Sequence, residues 1–228
     1  MFRITTMIRV LPVLVVLAGV PQLCAAAAMD LAPVKQWIIR QNDFHAVTAD
    51  FTQTRSMSAL RSPLENNGRL WFKSPDSFRW ELGSPAKLIA LRMKDTIYLI
   101  QPAKKRAERS VMSAMNQNVS GFGLGMMNIP FAHDFATFQK QYETLAISMD
   151  GTCCHLAVLP RDPQAHKMLT SLKLDFNTTN GNLLSFEIRT RDGSSLRNEF
   201  TNVKINTKIN SSVFDFDFTG YEVVDAKQ

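Results

Sequence analysis

Cys153, Cys154 and His155 form the densest run of chemically capable side chains in the 228-residue sequence. Thiolates and imidazoles ligate metals and act as nucleophiles or bases. The segment Cys153-Cys-His-Leu-Ala-Val-Leu159 alternates like a strand. Alternation sets Cys154 with Leu156 and Val158 and leaves Cys153 on the other face with His155. A metal site needs more ligands at suitable spacing than His155 supplies. A disulfide between neighbours must close a strained ring, so the expectation is two buried or half-buried thiols. His133-Asp134 has the residue types of an acid–base pair, but adjacent residues of a helical stretch point in different directions. Gly121-x-Gly123-x-Gly125 is not a dinucleotide fingerprint, because position 126 is Met and no strand–turn–helix unit surrounds it. The sequence has no Gly-x-Ser-x-Gly elbow and no His-Glu-x-x-His zinc helix. No catalytic residue, metal ligand or cofactor is assigned, and an enzyme is not expected.

Charge is a second candidate chemistry. Lysine and arginine outnumber the acids 26 to 20, a formal net charge of +6. Two of those positives, Arg3 and Arg9, lie in residues 1–28, so the rest of the chain carries a mild surplus of four. The run Lys104-Lys105-Arg106 with Arg109 follows Pro102 and reads as a solvated hairpin, with an anionic surface or partner as the alternative. Nucleic-acid binding calls for a strong basic face with exposed stacking aromatics. Here the aromatics alternate inward with the aliphatics, so no nucleic-acid partner is expected.

The first 28 residues have the three-part layout of a secretory signal. A short positive stretch is followed by the apolar run Val10–Val20, then by Pro21-Gln-Leu-Cys-Ala-Ala-Ala-Ala28 with small residues at the cleavage position. Eleven apolar residues reach only about 16 Å as a helix, too short for a bilayer core. Lipidation at Cys24 is disfavoured because Pro21-Gln22-Leu23 does not present small residues before the cysteine. Residues 1–28 are therefore expected to be cleaved, leaving residues 29–228 as one exported domain in the periplasm.

Those residues read as strands. Residues 31–41 form a short helix with Leu31, Val34, Trp37 and Ile38 on one stripe and Pro33 in its first turn. After it, period-two alternation dominates. Leu70 and Phe72 share a face, as do Phe78, Trp80 and Leu82, with Ser77, Arg79 and Glu81 opposite. Segments 97–101, 145–149, 172–176 and 184–188 repeat the scheme, with Lys173, Asp175, Glu187 and Arg189 outward. Turns fall at Ser74-Pro-Asp, Gly83-Ser-Pro, Gln101-Pro-Ala, Asp150-Gly, Asn180-Gly and Asp192-Gly. The expectation is an antiparallel sheet with one solvated face.

Residues 110–141 interrupt this pattern. Ser110–Asn118 and Phe131–Tyr142 read helical, flanking the apolar Gly121-Phe-Gly-Leu-Gly-Met-Met127. Three of the ten glycines and four methionines fall here, and both types favour rearrangement and adaptable packing. This segment reads either as a lid over a cavity or as core helices capping a barrel.

The order of these features resembles the periplasmic outer-membrane lipoprotein carrier family (LolA-like proteins). The matching pieces begin with Phe44-His-Ala-Val-Thr-Ala-Asp-Phe51-Thr-Gln53 and Asn67-Gly-Arg-Leu-Trp-Phe-Lys-Ser-Pro75. They continue through Phe78-Arg-Trp80, Ser84-Pro85, Thr96–Pro102, Leu159-Pro160, Arg191-Asp-Gly193, Phe214–Phe218 and Gly220-Tyr-Glu-Val-Val. The resemblance covers nearly all of the chain after residue 28. It implies a mainly β (α+β) fold, an incomplete antiparallel β-barrel of about 10–11 strands with short helices lidding a hydrophobic cavity. By the same resemblance, Leu70, Phe72, Phe78, Trp80 and Leu82 line the lipid-binding face, and Phe122, Leu124, Met126 and Met127 form the lid. The implied function is non-enzymatic. A monomeric carrier shields the acyl chains of a lipoprotein, or of another lipid or glycolipid, between an inner-membrane donor complex and an outer-membrane acceptor. A structural or sensory module of the same fold is the alternative. At one position the chain departs from the family: Ser74 stands where an Arg is common before Pro75, and Lys73 is expected to point away from the Leu70/Phe72 face.

Overall fold

The computed structural model describes residues 29–111 and 134–226. Twelve strands form one sheet: β1 Ala46–Ser56, β2 Leu64–Lys73, β3 Ser77–Leu82, β4 Leu88–Met93, β5 Thr96–Gln101, β6 Arg106–Val111, β7 Tyr142–Asp150, β8 Cys153–Pro160, β9 Leu169–Asn177, β10 Leu183–Thr190, β11 Ser195–Ile205 and β12 Glu222–Asp225. Their order is β12-β6-β5-β4-β3-β2-β1-β11-β10-β9-β8-β7. The sheet is curled and open, with β12 and β7 as its two edges. The fold class expected from the resemblance is the one observed, with slightly more strands. One of these is the short β12, which pairs parallel to β6, while every other ladder is antiparallel.

Two helices seal one end of one face. Helix α1, Ala32–Gln41, carries Pro33 in its first turn and buries Val34, Trp37 and Ile38, as its stripe predicts. Helix α2, Phe135–Gln141, buries Phe138. It is shorter than the expected 131–142 helix: Tyr142 already belongs to β7, and Phe131 lies outside the described residues. Asp134 caps α2, accepting from the Thr137 backbone N–H at 2.8 Å and the Thr137 hydroxyl at 2.7 Å. These bonds hold its carboxyl below the usual carboxylate range. A third helix, α3 Pro163–Met168, joins β8 to β9 and buries no residue.

The helix-bearing face holds the larger core. Val34, Trp37, Ile38 and Phe138 pack on Cys154, Leu156, Val158, Leu172, Leu174, Phe176, Phe186 and Ile188. The Trp37 indole stacks on Phe176 with centroids 4.5 Å apart, and its Nε1–H donates to the Gly181 carbonyl at 2.9 Å. Helix α1 is thereby fastened to the β9–β10 turn as well as to the strands.

The opposite face corrects the expectation of a solvated surface. The C-terminal segment crosses it, packing Ile209, Val213, Phe214, Phe216, Phe218 and Tyr221 on Trp71, Ile89, Leu91, Tyr98 and Ile100. Arg79 fastens this segment by donating from Nη1 to the carbonyls of Val213, at 2.9 Å, and Asp215, at 3.1 Å. Farther along this face, Glu187 is also buried rather than solvated. It is paired with Arg189 and lies 3.6 Å from Arg197. The alternation expected over 145–149 is broken as well. A bulge between Thr144 and Ala146 leaves Leu145 without a cross-strand partner and exposed, while Tyr142 and Ile147 reach the core.

Candidate functional site

Strand register places five of the predicted site residues on the helix-bearing face. Leu70 pairs with Trp80, Phe72 with Phe78, and Gly68 with Leu82. The same face continues through Ala90 and Leu88 on β4, Leu99 on β5 and, across β1, Phe51 and Phe200. Phe51, Trp80 and Ala90 form the buried centre of a cluster, with Leu70, Phe78, Leu82, Leu88, Leu99 and Phe200 packed around them and half-buried. Phe72 lies on the same face at the margin of the cluster, opposite Val47 and the cluster member Phe78. The lid residues Phe122, Leu124, Met126 and Met127 lie outside the described residues.

A glycine makes the centre of this cluster possible. The Phe51 and Trp80 rings stack nearly parallel, 9° apart, with centroids separated by 5.1 Å. Gly68 is the direct partner of Phe51 across the β1–β2 ladder. A Cβ there would meet the Phe51 ring at 2.1 Å and the Glu81 carbonyl at 2.3 Å. The Asn67-Gly68 step of the sequence motif therefore has a packing reason: only glycine lets the aromatic pair lie flat on the strand.

Trp80 is 3% exposed, and its indole Nε1–H has no hydrogen-bond partner among the described residues. Burying such a donor unsatisfied costs about 1–3 kcal/mol. The apolar side chains clustered with it offer no acceptor. The adjoining part of the face shows the usual remedy. Gln53 and Asn198, cross-strand partners two residues from Phe51 and Phe200, are both buried, and Gln53 Nε2 donates to Asn198 Oδ1 at 3.1 Å.

Several residues of this face were not singled out as site residues: Phe51, Ala90, Leu99, Leu88, Phe200 and the Gln53–Asn198 pair. Alternation carried the signal. Phe51-x-Gln53 and Leu196-x-Asn198-x-Phe200 each put a polar amide at an inward position, where burial demands a partner.

The other chemical candidates have structural occupations. Cys154 is fully buried and Cys153 half-buried, both free, as the alternation predicts. Burial pushes the Cys154 thiol up to about 11, so it is not a thiolate at neutral pH. His155 Nδ1 lies 2.7 Å from Asp175 Oδ1. Burial opposes ionisation of Asp175, but its bonds from Ser185 and His155 and the nearby Arg197 guanidinium hold its carboxyl below the usual range. Lys104, Lys105 and Arg106 stand exposed at the β5–β6 turn, and Arg109 pairs with Asp225 at 2.6 Å. Lys73 is exposed and alternates away from Phe72, and the Ser74 backbone N–H donates to the His45 carbonyl at 2.8 Å. A polar groove of about 310 Å³ lies on the opposite face among Asp50, Arg69, Trp71, Asn202 and Lys204, and its charged lining suits no hydrocarbon ligand. Among the described residues no three His, Cys, Asp or Glu side chains converge as a metal site, and no helix is long and apolar enough to cross a membrane.

A family model described as outer membrane lipoprotein carrier protein LolA matches residues 42–217. The chain belongs to the LolA family. Its matched span takes in β1–β11 and therefore every residue of the aromatic cluster. The chain is 23% identical over 175 residues to an outer-membrane lipoprotein carrier protein of Photorhabdus laumondii, covering 77% of each sequence. An uncharacterized conserved protein from Thermus thermophilus shares the LolA-like fold of this chain, with a TM-score of 0.50 at 10% identity, over 83% of this chain and 95% of that one. A putative outer membrane lipoprotein-sorting protein domain from Vibrio parahaemolyticus aligns with a TM-score of 0.47 at 12% identity, over 81% of this chain and 95% of that one.

Proposed function

We propose that this LolA-family chain is a periplasmic, non-enzymatic carrier whose aromatic face takes up the acyl chains of a lipoprotein or related lipid. The observation that carries the reading is the cluster around Phe51 and Trp80. It is a broad hydrocarbon surface whose described members are all strand residues, six of them half-buried. Leu70, Phe72, Phe78, Trp80 and Leu82 are its acyl contacts, supported by their placement on one face. Each buried CH₂ is worth about 0.8 kcal/mol, so one long acyl chain supplies roughly 10 kcal/mol of binding free energy. No covalent chemistry is required, in keeping with thiols and carboxylates that are buried, capping or ion-paired. Residues 1–28 act as a cleaved export signal and residues 29–228 as one lipid-binding domain that receives cargo from an inner-membrane donor and yields it to an outer-membrane acceptor.

The test is native mass spectrometry of protein recovered from a periplasm, paired with uptake of a fluorescent acyl probe. The expected result is an intact mass lacking roughly the first 26–28 residues, a co-purified lipid-sized adduct, and probe uptake that the extracted lipid displaces. Protein that carries no lipid and takes up no probe would overturn the carrier reading.

A further inference from the structure

The buried indole N–H of Trp80 is a donor with no acceptor among the described residues. Its ring is almost wholly removed from solvent, and it clusters with the apolar side chains of Phe51, Ala90, Leu70, Phe78, Leu82, Leu88, Leu99 and Phe200. Nor does the stacked partner serve as a π-acceptor. An indole N–H lies in the plane of its ring, and Phe51 lies parallel to that plane within 9°, so the N–H runs alongside the phenyl face rather than into it. The two other buried polar side chains of this part of the face, Gln53 and Asn198, already engage each other. A tryptophan kept in a hydrocarbon cluster with its one polar atom unmatched suits a ligand that is apolar along its length and carries an acceptor at one point.

Given the acyl-binding reading above, we propose that the half-buried side chains around Trp80 part to admit an acyl chain, and that Nε1–H then donates to the carbonyl oxygen at its head. The site then selects acyl lipids over plain hydrocarbon. An ester of glycerol and an amide of an acylated amine both present that oxygen. Phe78, Leu82 and Leu88 contact the methylenes beyond it.

The test compares three probes of equal chain length on the full chain after residue 28: a monoacylglycerol, an N-acylglycine, and the alkyl-ether analogue of the monoacylglycerol. The wild type is expected to bind the carbonyl probes about five- to tenfold more tightly than the ether. Trp80→Phe, which keeps an aromatic ring and removes the N–H, is expected to bring the affinities within about twofold by weakening only the carbonyl probes. A wild-type readout covers the event that the variant folds poorly. The Trp80 indole ¹⁵N–¹H resonance should move downfield with a carbonyl probe and less with the ether. Preference for the ester alone, or for the amide alone, supports the donor and identifies the source of its acceptor. Equal wild-type affinity for all three probes with an unmoved indole resonance overturns the hydrogen bond and leaves acyl binding standing. Failure of every probe to bind overturns the carrier reading and this assignment with it.

Discussion

The two halves of the helix-bearing face are made alike and finished differently. On β8, β9 and β10, inward residues such as Leu156, Leu174 and Phe186 are sealed by Val34, Trp37 and Ile38 of α1 and Phe138 of α2. On β2–β5, inward residues such as Leu70, Phe78 and Leu82 join a cluster in which every described member belongs to a strand. Phe200 touches both clusters, so the face is continuous and the boundary is one of covering, not of composition. Even the tryptophans differ. Trp37 donates to Gly181 and locks the helix down, whereas Trp80 stacks on Phe51 and its N–H has no partner among the described residues. One alternating pattern thus yields a core sealed by helices on one side, and on the other an aromatic cluster whose described members are all strand residues.

The hardest blow to the sealed half is Trp37→Ala. Loss of its stacking and its bond to Gly181 should cost about 3–5 kcal/mol of stability, read as a large fall in the denaturant midpoint. A variant that unfolds like the wild type would show that α1 does not hold this core. The matching blow to the aromatic half is Phe78→Asp. Phe78 is half-buried, so the charge can reach solvent in the free protein, and the far-UV spectrum should persist while acyl affinity falls at least about a hundredfold. Undiminished binding would place the lipid on some other surface.

Gly68→Ala probes the hinge of the contrast. The added methyl pushes Phe51 off the strand and should destabilise by about 1–3 kcal/mol, with acyl affinity falling alongside. Loss of stability without any loss of affinity would separate the Phe51–Trp80 stack from binding. A smaller effect is expected on the charged face behind the sealed half. The Asp175 carboxyl sits below its usual value of 3.8 when folded, so its contribution is fully present above that value and is lost as pH falls through the lower folded value. Asp175→Asn should therefore flatten the acid limb of the stability curve and leave acyl binding at neutral pH unchanged. An acid limb of unaltered slope would assign acid sensitivity to other carboxyls. Smallest of all, Leu145→Ser at the exposed bulge should move stability by less than about 0.5 kcal/mol, checked by thermal unfolding.

Much of the aromatic half was legible because alternation is local. Phe78, Trp80 and Leu82 must share a face whatever the rest of the chain does, since successive strand residues point to opposite sides. The same logic placed Cys154 inward and Lys73 outward. It failed at Leu145, where an inserted residue shifts the strand's faces, at Arg79, where the distant C-terminal segment covers a polar position, and at Glu187, which is buried beside Arg189 and Arg197. Local signals carry no trace of the C-terminal segment lying across Ile89 and Leu91, because the two are more than a hundred residues apart.

The order of residue types suffices for the strands, the short amphipathic helix, the family and the apolar side of the central strands. These follow from steric alternation and residue chemistry over a few neighbouring positions. Which stretch of that apolar side is sealed was settled only by long-range packing. The same packing set Phe51 flat against Trp80 over Gly68, paired Gln53 with Asn198, and left the Trp80 donor without a partner among the described residues. Those outcomes depend on register between strands far apart in the chain, where one ring displaced by a few ångströms would undo the stack.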